Sequence, residues 1–190
     1  MAEQYQKPYL DSSVFIAWIK GEIITTEEEE KEGGKTIRIV KTVNRKMIVD
    51  HLLKQAQNGD FKIHISSFTL AEVHKKRNHE KLTNDEDEKI LAFFENDFIV
   101  LIDVDRTNGE EANRICRDLG LLPGDATHLA CALRAGCDVL LAWDDRITNA
   151  SHPRIRIEEP EIVGDLDLFA QAVTIERIEK VPDVKTTKKD

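Results

Sequence analysis

Long apolar runs, a secretory start, a closed cysteine set and a basic excess are all missing from this chain of 190 residues. No stretch approaches the roughly eighteen consecutive apolar residues that a membrane span needs, so no membrane association is expected. Met1-Ala2-Glu3-Gln4-Tyr5-Gln6-Lys7-Pro8 lacks the basic start and apolar core of a signal peptide. Cys116, Cys131 and Cys137 are odd in number and show no paired metal-ligand spacing. Small buried thiols in a reducing cytoplasm are therefore expected. A net charge of −9 argues against a protein that coats nucleic acid by charge alone. It leaves room for an enzyme with an acidic, metal-loaded site and local basic patches.

What is present is an alternation of strands and helices in what is most simply one domain. Tyr9-Leu10-Asp11-Ser12-Ser13-Val14-Phe15-Ile16 reads as a short apolar strand that ends in an acid and turns into a helix over 14–19. Residues 21–45 break the pattern. Residues 27–30 and Glu32 form an acidic run, Gly33-Gly34 a turn, and Ile37 and Ile39 alternate with basic partners as in a half-buried strand. This segment is expected to be an inserted hairpin or flap outside the core, its acids in solvent. A helix over 44–57 stopped by Asn58-Gly59, a strand over 61–65 and a helix capped by Ser66-Ser67 follow. Further helices are expected over 83–96, 105–119 and 123–135, and strands over 98–102, 138–142 and 155–157. Residues 161–190 form a C-terminal extension, with one more helix near 166–173 and a disordered tail after Val181. The alternation predicts an α/β fold, a three-layer α/β/α sandwich around a mainly parallel sheet. Right-handed crossovers would put the carboxyl ends of its strands on one edge.

Four acids fall at that edge. Asp11 ends the first strand, Glu72 lies early in the helix after the second, Asp125 opens a helix, and Asp144 ends the fourth strand. Each has an ordinary explanation taken singly: Asp11 and Asp125 as helix caps, Glu72 as a solvated helix residue, Asp144-Asp145 as turn chemistry. Taken together they are chemically costly. Two unit charges about 4 Å apart repel by about 1 kcal/mol in water and about 4 kcal/mol at an effective dielectric near 20. Summed over four acids, that repulsion rivals the roughly 5–15 kcal/mol that holds a domain together. Protons or divalent cations must relieve it, and hard oxygen ligands suit Mg²⁺ or Mn²⁺. Such ions bind phosphodiester oxygens and sharpen an attacking water.

Four motifs in this order resemble the PIN-domain family, including the VapC-type ribonuclease toxins. They are Tyr9-Leu10-Asp11-Ser12-Ser13, Ser66-Ser67-Phe68-Thr69-Leu70-Ala71-Glu72-Val73, Gly124-Asp125-Ala126-Thr127-His128-Leu129-Ala130-Cys131-Ala132 and Leu140-Leu141-Ala142-Trp143-Asp144. The resemblance implies a nuclease domain over 1–160, with the 21–45 insertion inside it. It implies that Asp11, Glu72, Asp125 and Asp144 are the catalytic, metal-binding set, with Ser13 supporting Asp11. The implied activity is Mg²⁺- or Mn²⁺-dependent endonucleolytic cleavage of RNA by water, without a covalent intermediate. It further implies a cognate antitoxin protein as a partner and self-association as a homodimer. The chain departs from the family pattern at Ala142, where a Thr or Ser hydroxyl is common. Asp145 adds a neighbouring acid that is a ligand candidate in its own right or a support for one.

Other residues carry weaker signals. Lys75, Lys76, Arg77, Arg114 and Arg117 are candidate phosphate contacts, with surface balance as the plainer role of each. His128, one turn after Asp125, either faces the cleft or packs as a satisfied core residue in an Ala/Leu-rich helix. His74 and His79 are expected on a solvated face, and Trp143 either stacks on a base or packs. Asp11-Ser12-Ser13 is also similar to the nucleophile loop of haloacid-dehalogenase phosphatases, but Ser13 stands where that loop needs a second Asp. A PIN-like module that binds RNA or protein without cleaving is the alternative, motivated by Ala142 and the acidic insertion.

Overall fold

The computed structural model describes residues 5–32, 35–73 and 84–179. Its centre is a strand of three residues, β1 (Pro8–Leu10), buried along its whole length. The chain then runs through α1 (Ser12–Lys20), β2 (Ile23–Glu32), β3 (Lys35–Asn44), α2 (Arg45–Asn58), β4 (Ile63–Ser66), α3 (Ser67–Val73) and α4 (Asn84–Phe93). It continues through β5 (Ile99–Ile102), α5 (Arg106–Leu119), α6 (Pro123–Ala135), β6 (Val139–Leu141), α7 (Asp145–Thr148), β7 (Arg156–Glu158), α8 (Leu166–Ala172) and β8 (Val173–Glu179).

Five strands form one sheet in the order β5-β4-β1-β6-β7, and every neighbouring pair is parallel. A parallel sheet covered on both faces needs apolar residues at consecutive strand positions, not alternate ones. Leu10, Ile63, Ile65, Val139 and Leu141 point into one core with α1 and α2, which contribute Val14, Phe15, Ile48, Val49, Leu52 and Leu53. Tyr9, Leu140 and Ala142 point into the other, against Ala112, Ile115, Leu129, Ala130 and Leu133 of α5 and α6. The three-layer α/β/α sandwich is therefore present.

The insertion is a long hairpin. β2 and β3 pair antiparallel from Ile23↔Asn44 to Glu32↔Lys35. Glu27 to Glu30 are exposed, as expected of a solvated acidic run. Gly21, at φ +63°, ends α1 in the left-handed region and turns the chain into this hairpin. Sequence reasoning missed β8. It pairs with β3 from Val43↔Val173 to Ile37↔Glu179, so the insertion and the C-terminal extension share one three-stranded sheet. The expected helix ends one residue earlier than supposed, at Ala172. Val173-Thr174-Ile175-Glu176 does alternate, but its partner lies some 130 positions upstream, which no local pattern reveals. The expected disordered tail lies outside the described residues. Among the described residues no helix is long and apolar enough to cross a membrane. Cys131 and Cys137 are buried free thiols, whereas Cys116 is only half-buried.

Leu52 is fully buried in the core, while Ile175 on the outer sheet is 62% exposed. Leu52→Ala should therefore cost about 2–5 kcal/mol in urea unfolding. Ile175→Ala should stay within about 0.5 kcal/mol of wild type. Equal losses at the two positions would contradict this division of the structure.

Candidate active site

The carboxyl ends of the parallel strands open onto one pocket of about 300 Å³. Asp11, Glu72, Asp125 and Asp144 all line it. Each arrives by a different local device, and two of them serve as helix caps as well. Asp11 follows β1, its backbone N–H bonded to the Leu141 carbonyl at 2.9 Å. Its Oδ2 accepts the Ser13 N–H at 2.8 Å and so starts α1. Its other oxygen, Oδ1, lies 3.3 Å from His128 Nε2. Asp144 likewise accepts the Arg146 N–H at 3.0 Å and caps α7. Capping and site roles are not rivals here, because a carboxylate has two oxygens and a cap uses one.

Asp125 is different. α6 begins at Pro123, with Leu122 as a cap that makes no side-chain hydrogen bond, so Asp125 is not the cap expected from Pro-Gly-Asp. It sits in the first turn, where the helix dipole favours an anion. Its Oδ2 is buried without a hydrogen-bond partner and is 4.0 Å from Arg146 Nε. Burial raises the pKa of Asp125 above the usual carboxylate value, and the neighbouring charges of Asp144 and Asp11 push it the same way, against the pull of Arg146. Glu72 reaches the pocket from α3. Gly124 of α6 lies against it, since a Cβ there would stand in ordinary contact, 3.7 Å from Glu72 Oε1.

Beneath the acids lies His128, 1% exposed. Its Nε2 is 2.8 Å from Glu72 Oε2 as well as 3.3 Å from Asp11 Oδ1. Two carboxylates at one ring nitrogen require a proton there, so Nε2–H donates. Nδ1 stands 2.8 Å from the Tyr9 hydroxyl, which donates to the neutral ring and accepts from the protonated one. Burial opposes the charged imidazolium, but the Glu72 hydrogen bond and the charges of Asp11, Glu72 and Asp125 together raise its pKa. His128 is thus both packed and turned to the cleft.

The other sequence candidates separate clearly. Ser13 supports Asp11 through its backbone N–H, and its hydroxyl accepts the Trp143 N–H at 3.0 Å. Asp145 is exposed and does not line the pocket that Asp144 enters. Arg114 and Arg117 line a separate depression of about 610 Å³ on α5, with none of the four acids. Arg114 is moreover paired with Glu111 at 2.6 Å. Lys75, Lys76, Arg77, His74 and His79 lie outside the described residues. Trp143 is 7% exposed with the Arg45 guanidinium 4.4 Å from its ring centroid, so it packs and offers no free face to a base. Ala142 is fully buried among apolar side chains and brings no hydroxyl.

Sequence reasoning missed the cations that share the pocket. Lys20, Arg45 and Arg146 line it together with a fifth acid, Glu22. Arg146 makes a two-point contact with Asp144, at 3.0 Å through Nε and 2.6 Å through Nη2. The lining counts five acids against three bases, a formal acidic excess that His128 beneath it offsets in part. The donors are all carboxylate oxygens, which suits Mg²⁺ or Mn²⁺, and Asp125 Oδ2 is buried without a partner. The residues fit such an ion in kind and place. Among the described residues no three acids or histidines yet stand in ready coordination, since Glu72 is turned to His128 and Asp144 to Arg146.

An all-parallel α/β/α domain with an acidic cleft at its strand ends defines the class. A family model described as PIN domain matches residues 9–153, and the chain belongs to the PIN-domain family, whose members are generally nucleases. Among solved structures the chain is similar in fold to VapBC2 from Rickettsia felis, crystallised bound to a DNA fragment from its promoter. That likeness has a TM-score of 0.52 at 14% identity, covering 80% of this chain and 97% of that one. No curated protein matches the chain.

A pKa raised by folding means that the fold holds its proton more tightly than the unfolded chain does. The stabilisation from His128 is complete below 6.5 and is lost as pH rises through its higher folded value. That from Asp125 has the same sign and starts to fall away above 3.8. In EDTA, the melting-temperature advantage of wild type over His128→Gln should therefore shrink as pH rises from about 6 to about 9. A difference that is constant or grows over that range would contradict the assignment.

Proposed function

We propose that the protein is a Mg²⁺- or Mn²⁺-dependent endoribonuclease that hydrolyses RNA phosphodiester bonds with water. The observation that carries the reading is the excess of acids over bases in one pocket at the strand ends, with Asp125 Oδ2 buried without a hydrogen-bond partner. Asp11, Glu72, Asp125 and Asp144 would hold the metal. A bound divalent ion supplies charge neutralisation at the phosphate and a more acidic water.

The protein's own groups have distinct tasks in this reading. Asp11 is fixed by the Ser13 amide on one oxygen, so it offers the other at constant position. His128 holds Glu72 at the pocket wall and, through its raised pKa, partly neutralises Asp11 and Glu72 from below. Tyr9 fixes the ring from the far side. Arg146 holds Asp144 by a forked contact that must yield when that carboxylate turns to another cation. The parallel sheet supplies the rigidity that keeps distant carboxylates in register.

The fold likeness to VapBC2 supports a narrower proposal, that the protein is a toxin restrained by an antitoxin protein. The second reading, a module that binds without efficient cleavage, draws on Ala142, which brings no hydroxyl where the family commonly has one. A titration of Mg²⁺ and Mn²⁺ against a mixed RNA pool separates the readings. Wild type should cleave only with metal, and Asp11→Asn should be slower by at least about 100-fold, since even residues that merely support metal ligands cost 10–100-fold. Cleavage in EDTA, or full activity of Asp11→Asn, would overturn the proposal.

A further inference from the structure

We infer that Arg45, delivered by the inserted hairpin, is a phosphate-binding residue that seats the RNA strand across the acidic pocket. The inference rests on the ribonuclease reading above and gives the insertion a role in it. Arg45 is the first residue of α2, directly after β3, and its backbone N–H bonds the Glu22 carbonyl at 3.1 Å across the hairpin base. Its side chain lines the same pocket as Asp11, Glu72, Asp125 and Asp144.

Three observations bear on its role. First, the guanidinium is held at two points: Nη1 donates to Glu22 Oε2 at 2.8 Å, and Cζ lies 4.4 Å from the Trp143 ring centroid. Stacking on an aromatic face uses the plane of the group and leaves its edge donors available. Among the described residues, Nη1 alone of its side-chain nitrogens has a hydrogen-bond partner. Second, its side chain is 20% exposed, so it is fixed in place yet reachable from the pocket. An arginine already ordered loses less freedom on binding a phosphate than one free in solvent. Third, Lys20, the last residue of α1, lines the same pocket and adds a second cation near Glu22.

A strand of RNA brings a negative charge at each nucleotide into a pocket already rich in acid. A metal ion relieves the acids, but the flanking phosphates still need a positive surface. Arg45 and Lys20 provide it on the wall opposite in charge to the four carboxylates. A plain structural clamp between Glu22 and Arg45 is the rival explanation, and it makes a different prediction. Breaking the ion pair from either side should then have the same effect.

The test uses full-length Asp11→Asn protein, a fluorescently labelled single-stranded RNA oligonucleotide and excess Mg²⁺, read by anisotropy over a range of KCl. Arg45→Gln should weaken binding about tenfold, the value of one charge-assisted hydrogen bond, and lower the log–log salt slope by about 0.7. Arg45→Lys should keep the slope. Glu22→Gln should bind at least as tightly as its parent, because it frees the guanidinium. Unchanged affinity and slope for Arg45→Gln, or equal weakening by Arg45→Gln and Glu22→Gln, would overturn the inference. If the Asp11→Asn protein binds no RNA and wild type cleaves none, the ribonuclease reading falls with it. If the Asp11→Asn protein binds RNA and wild type cleaves it, but Arg45→Gln changes neither affinity nor slope, the inference alone falls.

Discussion

Carboxylates that meet at the end of a parallel sheet repel one another, and most of the arrangement around this pocket answers to that repulsion. Asp11, Glu72, Asp125 and Asp144 come from four separate stretches of chain and line a space of about 300 Å³. Each pair within a few ångströms costs of the order of 1–4 kcal/mol, depending on how well water reaches it. The protein supplies partial answers. His128 lies under Asp11 and Glu72, Arg146 grips Asp144, and the neighbouring acids help raise the pKa of Asp125. These offset part of the repulsion, and the pocket lining still carries more acids than bases.

The fold sets the terms of this convergence. An all-parallel sheet puts every strand's carboxyl end on one side, so an acid at the end of β1 and another after β6 become neighbours without any local sequence contact. Polar groups buried at that edge must be satisfied, and Tyr9, Ser66 and His128 form a connected set that does so. The same set fixes Glu72 in place. Local and functional demands are met by single side chains: Asp11 and Asp144 each cap a helix by accepting a backbone N–H on one carboxylate oxygen while remaining in the pocket lining.

How much of this could be read from the residues follows from the range of the interactions. The parallel sheet was legible because βαβ units are local, and the four acids because three end strands or open helices and Glu72 lies on the helix that follows the second strand of the pattern. His128 was ambiguous: within an Ala/Leu-rich helix, a histidine looks like packing until the partners from β1 and α3 are known. Arg146, two positions beyond Asp144, has no sequence signal that marks it as a pocket residue. Arg45 and Glu22 seemed to belong to an insertion apart from the core, and only the folded hairpin base brings them to the pocket. β8 was hidden for the same reason, since its partner is distant and one of its faces is solvent. Conversely, Asp145 carried the right chemistry at the right place in sequence, but the start of α7 turns it outward.

The insertion and the C-terminal strand give this PIN-domain chain a second sheet whose base reaches the acidic pocket. The account as a whole depends on the pocket taking up a divalent cation between its carboxylates. Anomalous diffraction from crystals grown with MnCl₂ tests that most directly. The account predicts a manganese peak within about 2.0–2.4 Å of carboxylate oxygens from Asp11 and at least one of Asp125, Asp144 and Glu72. A saturating Mn²⁺ soak with no peak in the pocket, or one held only at the exposed acids of β2, would contradict it.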